Sequence, residues 1–509
     1  MDLLFFLGMD FGVKVIDRRS LGRRVKDQKA RVIAQINLRL KAASYVSTTA
    51  DIWSTKTRSF LGVTAHWIDE QTLMRHSAAL ACRRFCSPHT HDKIAEMLED
   101  IHLSFGLSAG KIVSTVTDNG ANFSKAFKIF GVDLKVPCSD VESESDVDEE
   151  SDENSSVLFA SDDVEEESMI RLPHHVRCAS HTLNLLATTD TAKIIEKSPS
   201  LSRVHHMAMG KCTFLWNASG RPHSAEKIFS ILGQKLSYPG VTRWNSLYDA
   251  LCQILKHREK LQALFTVLGN KTQIKEVELD YLKEYCEVMR PIALGIDRLQ
   301  GDGCFFGLLL PTLFSIKGKL EEMQSMAFHY CAPLIIGLNM SLQNRFKTYF
   351  SLSAEVNDAI LASCTHPFFR MRWLPTDRVE LRAHLQQVLI NAAKKLNADV
   401  LCSRNDGNSS DEDFFDFSDD PGHSSFHVVN KNEIEVLQFL GDKSKCLSTL
   451  NAYPAVKKLF VRYNTGLTSS APVERLFSFA GFIHNCKRSN LADSMFETLL
   501  LLKGNEHFL

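Results

Sequence analysis

Asp51 lies in Thr49-Ala50-Asp51-Ile52-Trp53-Ser54, Asp118 in Thr117-Asp118-Asn119-Gly120-Ala121-Asn122, and Glu474 in Ser470-Ala471-Pro472-Val473-Glu474-Arg475. The first two acids close segments that read as β-strands, and the third opens a strongly apolar helix. Carboxylates delivered from such rigid elements to one place make an oxygen-only pocket, the kind that holds Mg²⁺ or Mn²⁺ beside a phosphodiester. Two other groups carry chemical potential. Cys178 and His181 form a Cys-x-x-His element, with His174 and His175 just before it. Arg243-Trp244 sets a cation beside an indole, which suits base stacking as well as it suits a core tryptophan with a snorkelling neighbour.

The elements that must position these residues follow from periodicity. Tyr45–Trp53, Phe60–Ile68 and Leu73–Cys82 are short runs rich in β-branched and aromatic residues, as in an antiparallel meander. Ile94, Met97, Leu98, Ile101 and Phe105 recur at helical spacing across Thr90–Phe105. Lys111–Thr117 reads as a fourth strand, with Asp118-Asn119-Gly120 a tight exit into another helix. Beyond about residue 200 strand signals fade. Leu247, Leu251, Ile254, Leu255, Leu261 and Leu264 then form one helical stripe, and Leu309, Leu313, Ile316, Leu320 and Met323 another. Asp51 and Asp118 are 67 residues apart, within one domain. The 356 residues from Asp118 to Glu474 make sense only if the helical region is an insertion.

At 509 residues the chain exceeds the size of a single core, and its 44% hydrophobic content is ample for several. No apolar run is long enough to span a bilayer, and Leu3–Leu7 lacks the flanks of a signal peptide. Thirteen scattered cysteines point to reduced thiols. The net charge of -1 hides a partition. Residues 140–168 and 406–420 hold 21 of the 60 acidic residues and no Lys or Arg, leaving 39 acids against 59 Lys and Arg, an excess of +20. The body is therefore basic and suits a polyanion, while the acidic tracts read as solvated linkers. Arg18-Arg19-Ser20-Leu21-Gly22-Arg23-Arg24-Val25-Lys26, running into Val32, Ile33, Ile36, Leu38 and Leu40, reads as a charged amphipathic helix. It suits a solvated face, a phosphate contact or a nuclear-import element.

Five blocks in order resemble the hAT transposase superfamily, specifically its BED-finger type: TADIWS, TDNGANF, RCASHTLNL, TRWNS and SSAPVERLFSFAG…CKRSNL…ETLLLLK. The resemblance implies an α/β fold: a ribonuclease-H-like core interrupted by a large α-helical insertion, with a helical C-terminal hAT dimerisation region. The corresponding division is a basic lead-in at 1–44, core at 45–137, an acidic insert at 138–170 and core again at 171–200. A helical insertion follows at 201–455, with its acidic loop near 405–425, and the C-terminal region at 456–509. The resemblance also implies Asp51, Asp118 and Glu474 as catalytic metal ligands for Mg²⁺ or Mn²⁺. It directs His181 toward the scissile phosphate and gives Arg243 and Trp244 to DNA. Leu476, Phe479, Ile483, Phe496, Leu499 and Leu500 are the expected dimerisation residues, although the interior of the same fold would use their apolar stripes equally well.

Zinc is not expected, because Cys178/His181 has no second pair at finger spacing, and Cys82/Cys86 reads as ordinary core. No Cys-x-x-Cys followed by a His pair precedes Asp51, so the DNA-reading BED finger is expected to be lost or truncated. The expected function is that of a nuclear, dimeric, transposon-derived DNA-binding protein with a latent strand-cleavage site. An active transposase or nuclease, and a non-catalytic interaction scaffold, are the alternatives.

Overall fold

In a computed structural model, residues 17–131, 170–240, 245–270, 272–402, 431–484 and 491–509 are described. Both acidic tracts and Arg243-Trp244 lie outside them.

The chain enters through α1 (Arg18–Ala42), whose N-cap Asp17 accepts from the backbone N–H groups of Arg19 and Ser20. Next come β1 (Val46–Ser54), β2 (Ser59–Ile68), β3 (Arg75–Phe85), α2 (His91–Ser104), β4 (Ile112–Thr117), α3 (Ala121–Phe130), β5 (His175–Arg177) and α4 (Ala179–Leu185). The five strands form one sheet in the order β3-β2-β1-β4-β5. β3, β2 and β1 pair antiparallel, while β1, β4 and β5 pair parallel. The three expected antiparallel strands, the helix, the fourth strand and the helix after it all occur, with ends moved by a few residues. β5 is the element that sequence patterning missed.

A helical region follows. Its helices are α5 (Thr191–Lys197), α6 (Pro199–Ser219), α7 (Pro222–Leu232), α8 (Ser246–Lys256), α9 (Leu261–Val267), α10 (Glu276–Gln300) and α11 (Leu309–Gln324). They continue as α12 (Ala332–Arg345), α13 (Lys347–Ser351), α14 (Asn357–Thr365), α15 (Val379–Cys402), α16 (Lys431–Gly441) and α17 (Pro454–Asn464). The chain then returns to the sheet as α18 (Ala471–Ile483) and α19 (Asp493–Gly504). No helix among the described residues is long and apolar enough to cross a membrane.

The two faces of the sheet are covered by different parts of the chain, and strand alternation decides which residue serves which face. Ala50, Leu61, Val63 and Ala65 pack with Val32, Ile36 and Leu40 of α1, with Ile94, Leu98 and Ile101 of α2, and with Phe123 and Phe127 of α3. Phe60, Ala79 and Cys82 pack on the other side with Val473, Leu476, Phe477 and Ala480 of α18 and Phe496, Leu500 and Leu501 of α19. Trp53 stacks on Phe477 there, with ring centroids 6.1 Å apart. Leu476, Phe496 and Leu500, expected at a subunit interface, are thus buried inside their own chain, and Phe479, Ile483 and Leu499 are half-buried. The reason is geometric. A four-leucine run has no polar face, and the nearest apolar surface is the sheet itself. Cys86 is also corrected: Cys82 is core, but Cys86 is exposed just past the end of β3.

Two further ties hold the C-terminal helices on the sheet. The Asn505 side chain donates to the carbonyl of Ala79 and accepts from its N–H, both at 2.9 Å, mimicking a neighbouring strand on the edge strand β3. Arg75, half-buried on β3, donates to the carbonyls of Asn464, Thr465 and Gly466 at the end of α17. It thereby fixes the buried segment 464–470 that leads into α18.

Candidate acidic site at the end of the sheet

Asp51 sits near the C-terminal end of β1, and Asp118 directly follows β4. Because β1 and β4 are parallel neighbours, their C-terminal ends lie side by side. Asp51 pairs across the sheet with Gly62 of β2. That glycine permits the third acid to arrive. A Cβ on Gly62 would fall 2.5 Å from the Phe477 ring and 2.7 Å from Val473, so α18 rests directly on the strand backbone there. Glu474, one residue after Val473, is brought beside Asp51 by this contact.

The electrostatics record the convergence. Burial, then the charges of Asp118 and Glu474, push the Asp51 carboxyl up to about 8. Burial and the Asp118 charge raise Glu474 to about 7, against the Ser470 hydroxyl and Arg475, which favour its ionised form. Each acid has one local hydrogen bond that aims it. Asp51 Oδ1 accepts from the Ile52 N–H at 2.7 Å, Asp118 Oδ1 from the Gly120 N–H at 3.0 Å, and Glu474 Oε1 from the Ser470 hydroxyl at 3.2 Å.

The Cys-x-x-His element divides its labour. Cys178 is fully buried at the N-cap of α4, and its Sγ accepts from the N–H of His181 at 3.3 Å and of Ser470 at 3.4 Å. It therefore tethers the start of α4 to the start of α18, so it positions Glu474. His181 is half-buried, and burial lowers its pKa despite the nearby charge of Asp118. Its imidazole is neutral at physiological pH. His175 stacks flat on Phe127, with centroids 4.5 Å apart, and lies 2.8 Å from the Thr117 hydroxyl. It braces the strand that delivers Asp118.

The donor set fits a hard divalent cation in its chemistry: three carboxylates, two of which, Asp51 and Glu474, are raised by burial and by the charge of Asp118, with Arg475 opposing the rise at Glu474. Among the described residues, no three His, Cys, Asp or Glu side chains stand close enough together to enclose an ion. The coupling among the acids is electrostatic and not yet that of a closed ligand shell. Sequence reasoning named the three acids and His181 and did not single out Gly62, Cys178's tether or Arg75. A glycine inside an otherwise β-branched strand was the available signal for the first of these.

A family model described as the ZBED1 RNase-like domain matches residues 49–142, a stretch that contains Asp51 and Asp118 but not Glu474. No curated protein matches the chain. The match makes this a chain with an RNase-like domain of ZBED type and supports a ZBED-related, transposon-derived origin.

Proposed function

We propose that this chain is a transposon-derived nuclear DNA-binding protein of the hAT type, with a latent metal-dependent site for DNA strand cleavage. The observation that carries the reading is the meeting of Asp51, Asp118 and Glu474 at one end of one sheet, across 423 residues of sequence. The raised proton affinities of Asp51 and Glu474 support a site in preference to a purely structural role. Burying mutually repelling carboxylates costs stability, and a fold retains such a cluster where a cation or a proton is to be held.

Mg²⁺ or Mn²⁺ at these acids would supply charge neutralisation for a phosphodiester and a more acidic bound water. The chain's own residues do the rest. Burial and the charge of Asp118 raise the proton affinity of Asp51 and Glu474, and a cation at the site would favour their ionised forms. The neutral His181, beside Asp118, can take a proton from water or return one to a leaving oxygen. Ser470, Cys178 and Gly62 keep Glu474 in register. Arg243-Trp244 is assigned to DNA on the family resemblance, and self-association to the parts of the C-terminal helices that the core leaves open.

The test is cleavage of an end-labelled DNA duplex by purified protein with Mn²⁺, beside Asp118→Asn. Cleavage that the substitution abolishes supports the strand-cleavage site. Salt-sensitive DNA retention without cleavage leaves the DNA-binding half of the reading and removes the chemistry. Neither cleavage nor binding removes both.

A further inference from the structure

The first half of α1 is a helix that buries nothing. Its buried residues begin only at Val32, so residues 18–31 extend over about 20 Å at 1.5 Å per residue without contributing to the core. Over that stretch the chain carries Arg18, Arg19, Arg23, Arg24, Lys26, Lys29 and Arg31 against one acid, Asp27. Lys29 meets Glu497 at 3.6 Å. The other six cations form no ion pair among the described residues, and all six are exposed. Arg19, Arg23 and Lys26 stand at i, i+4 and i+7, hence in one row on one face. Like charges at this spacing destabilise a helix by a few tenths of a kcal/mol per pair, so the row does nothing for the fold.

Its direction matters as much as its charge. α1 runs parallel to α19, because Lys26 and Lys29 line a groove with Ser494 and Thr498 while Arg39 lies over Phe508. α19 runs antiparallel to β3, since Asp493 meets Arg84 near the end of β3 while Asn505 meets Ala79 near its start. β3 is parallel to β1 through two antiparallel pairings. The exposed N-terminal half of α1 therefore projects from the same end of the sheet as Asp51 and Asp118. α1 packs on the face of the sheet opposite α18 and lies along α19, so it flanks that end of the sheet from the other face. An acidic site repels a phosphodiester until it is neutralised, so attraction for the backbone must come from elsewhere.

We propose that the Arg19–Arg23–Lys26 row of α1 is a phosphate-backbone clamp for double-stranded DNA, holding the duplex across the end of the sheet beside the three carboxylates. This rests on the reading of the chain as a DNA-binding protein. A 20 Å arm runs beside roughly a dozen phosphate charges of a duplex, so three cations in a row each find a partner without any base being read. The contact is sequence-independent and dominated by counterion release.

The experiment is a salt titration of full-length protein binding a fluorescent 30-base-pair duplex in EDTA, for the wild type, for R19Q/R23Q/K26Q and for the charge-preserving R19K/R23K. Glutamine keeps helix propensity while removing charge, and equal melting curves establish that the variants are folded. The expected result is a slope of log K against log[salt] that is shallower by about 2–3 in the glutamine variant, at about 0.9 per lost phosphate contact. The lysine variant should keep the wild-type slope. A glutamine variant with wild-type slope and wild-type melting overturns the clamp while DNA binding stands. A wild type without salt-dependent DNA binding overturns the clamp together with the binding reading on which it rests.

Discussion

Asp51→Asn should make the metal-free protein more stable at pH 8 and at the same time abolish its response to Mg²⁺. The carboxyl of Asp51 is raised from 3.8 to about 8, chiefly by burial and then by Asp118 and Glu474. Between those two values the folded protein holds a proton that the unfolded chain has released. Stability therefore falls as pH rises through this window and is highest below about pH 4 as far as this group is concerned. At 1.36 kcal/mol per pKa unit the accumulated penalty at pH 8 is at most about 5 kcal/mol, and water reaching the half-buried carboxylate makes a few kcal/mol the working figure. An unfolding entropy of about 2.1 cal/mol/K per residue gives about 1 °C per kcal/mol for a chain of this length, or several degrees if the molecule melts as a unit. The assay is thermal melting at pH 5 and pH 8, in EDTA and in Mg²⁺. Wild type in EDTA should lose more melting temperature between the two pH values than Asp51→Asn does, and Mg²⁺ should restore the difference at pH 8 but not at pH 5. Equal pH dependence of the two proteins, or an equal Mg²⁺ shift in both, would refute the reasoning.

Gly62→Ala should cost about 1–3 kcal/mol, the usual range for overpacking a filled core, because the new methyl meets Phe477 and Val473. It should also weaken the Mg²⁺ response by lifting Glu474 away from Asp51; chemical denaturation and the melting assay read both. Arg75→Met should lower stability by at least 2 kcal/mol, since three backbone carbonyls at the end of α17 lose a charged donor. A denaturation midpoint unchanged from wild type would remove Arg75 as the anchor of segment 464–470. Leu500→Asp should unfold or severely destabilise the sheet domain, because Leu500 is fully buried within the chain. A folded monomer from that variant would instead return Leu500 to a subunit interface.

The sheet was legible because its strands obey the simplest rule. In β1, alternation sends Ala50 to one face and Asp51 to the other, and the strongly apolar β2 lies between β3 and β1 and is buried from Phe60 to Ile68. β5 was not legible: His175-Val176-Arg177 is three residues long and owes its strand geometry to pairing with Thr115–Thr117 rather than to any pattern of its own. Asp51, Asp118 and Glu474 stood out by context, but their meeting depends on a contact between Gly62 and Phe477, 415 positions apart, which no local pattern encodes. The C-terminal leucines were readable as buried, but not what they were buried against. A helix without a polar face specifies burial and leaves the partner open, and here the partner is the chain's own sheet.

The division of the acidic cluster between the two ends of the sequence has a consequence for when the protein can become competent. A ribosome completes Asp51 and Asp118 more than three hundred residues before it reaches Glu474, and the outer face of the sheet stays bare until α18 and α19 arrive. Throughout that interval the nascent chain exposes Phe60, Ala79 and Cys82 and lacks its third acid. Any chain that stops short of α18 is an open sheet suited to chaperone capture, with two of the three acids in place. Assembly of the acidic cluster thus waits on completion of synthesis, through the order of the sequence alone.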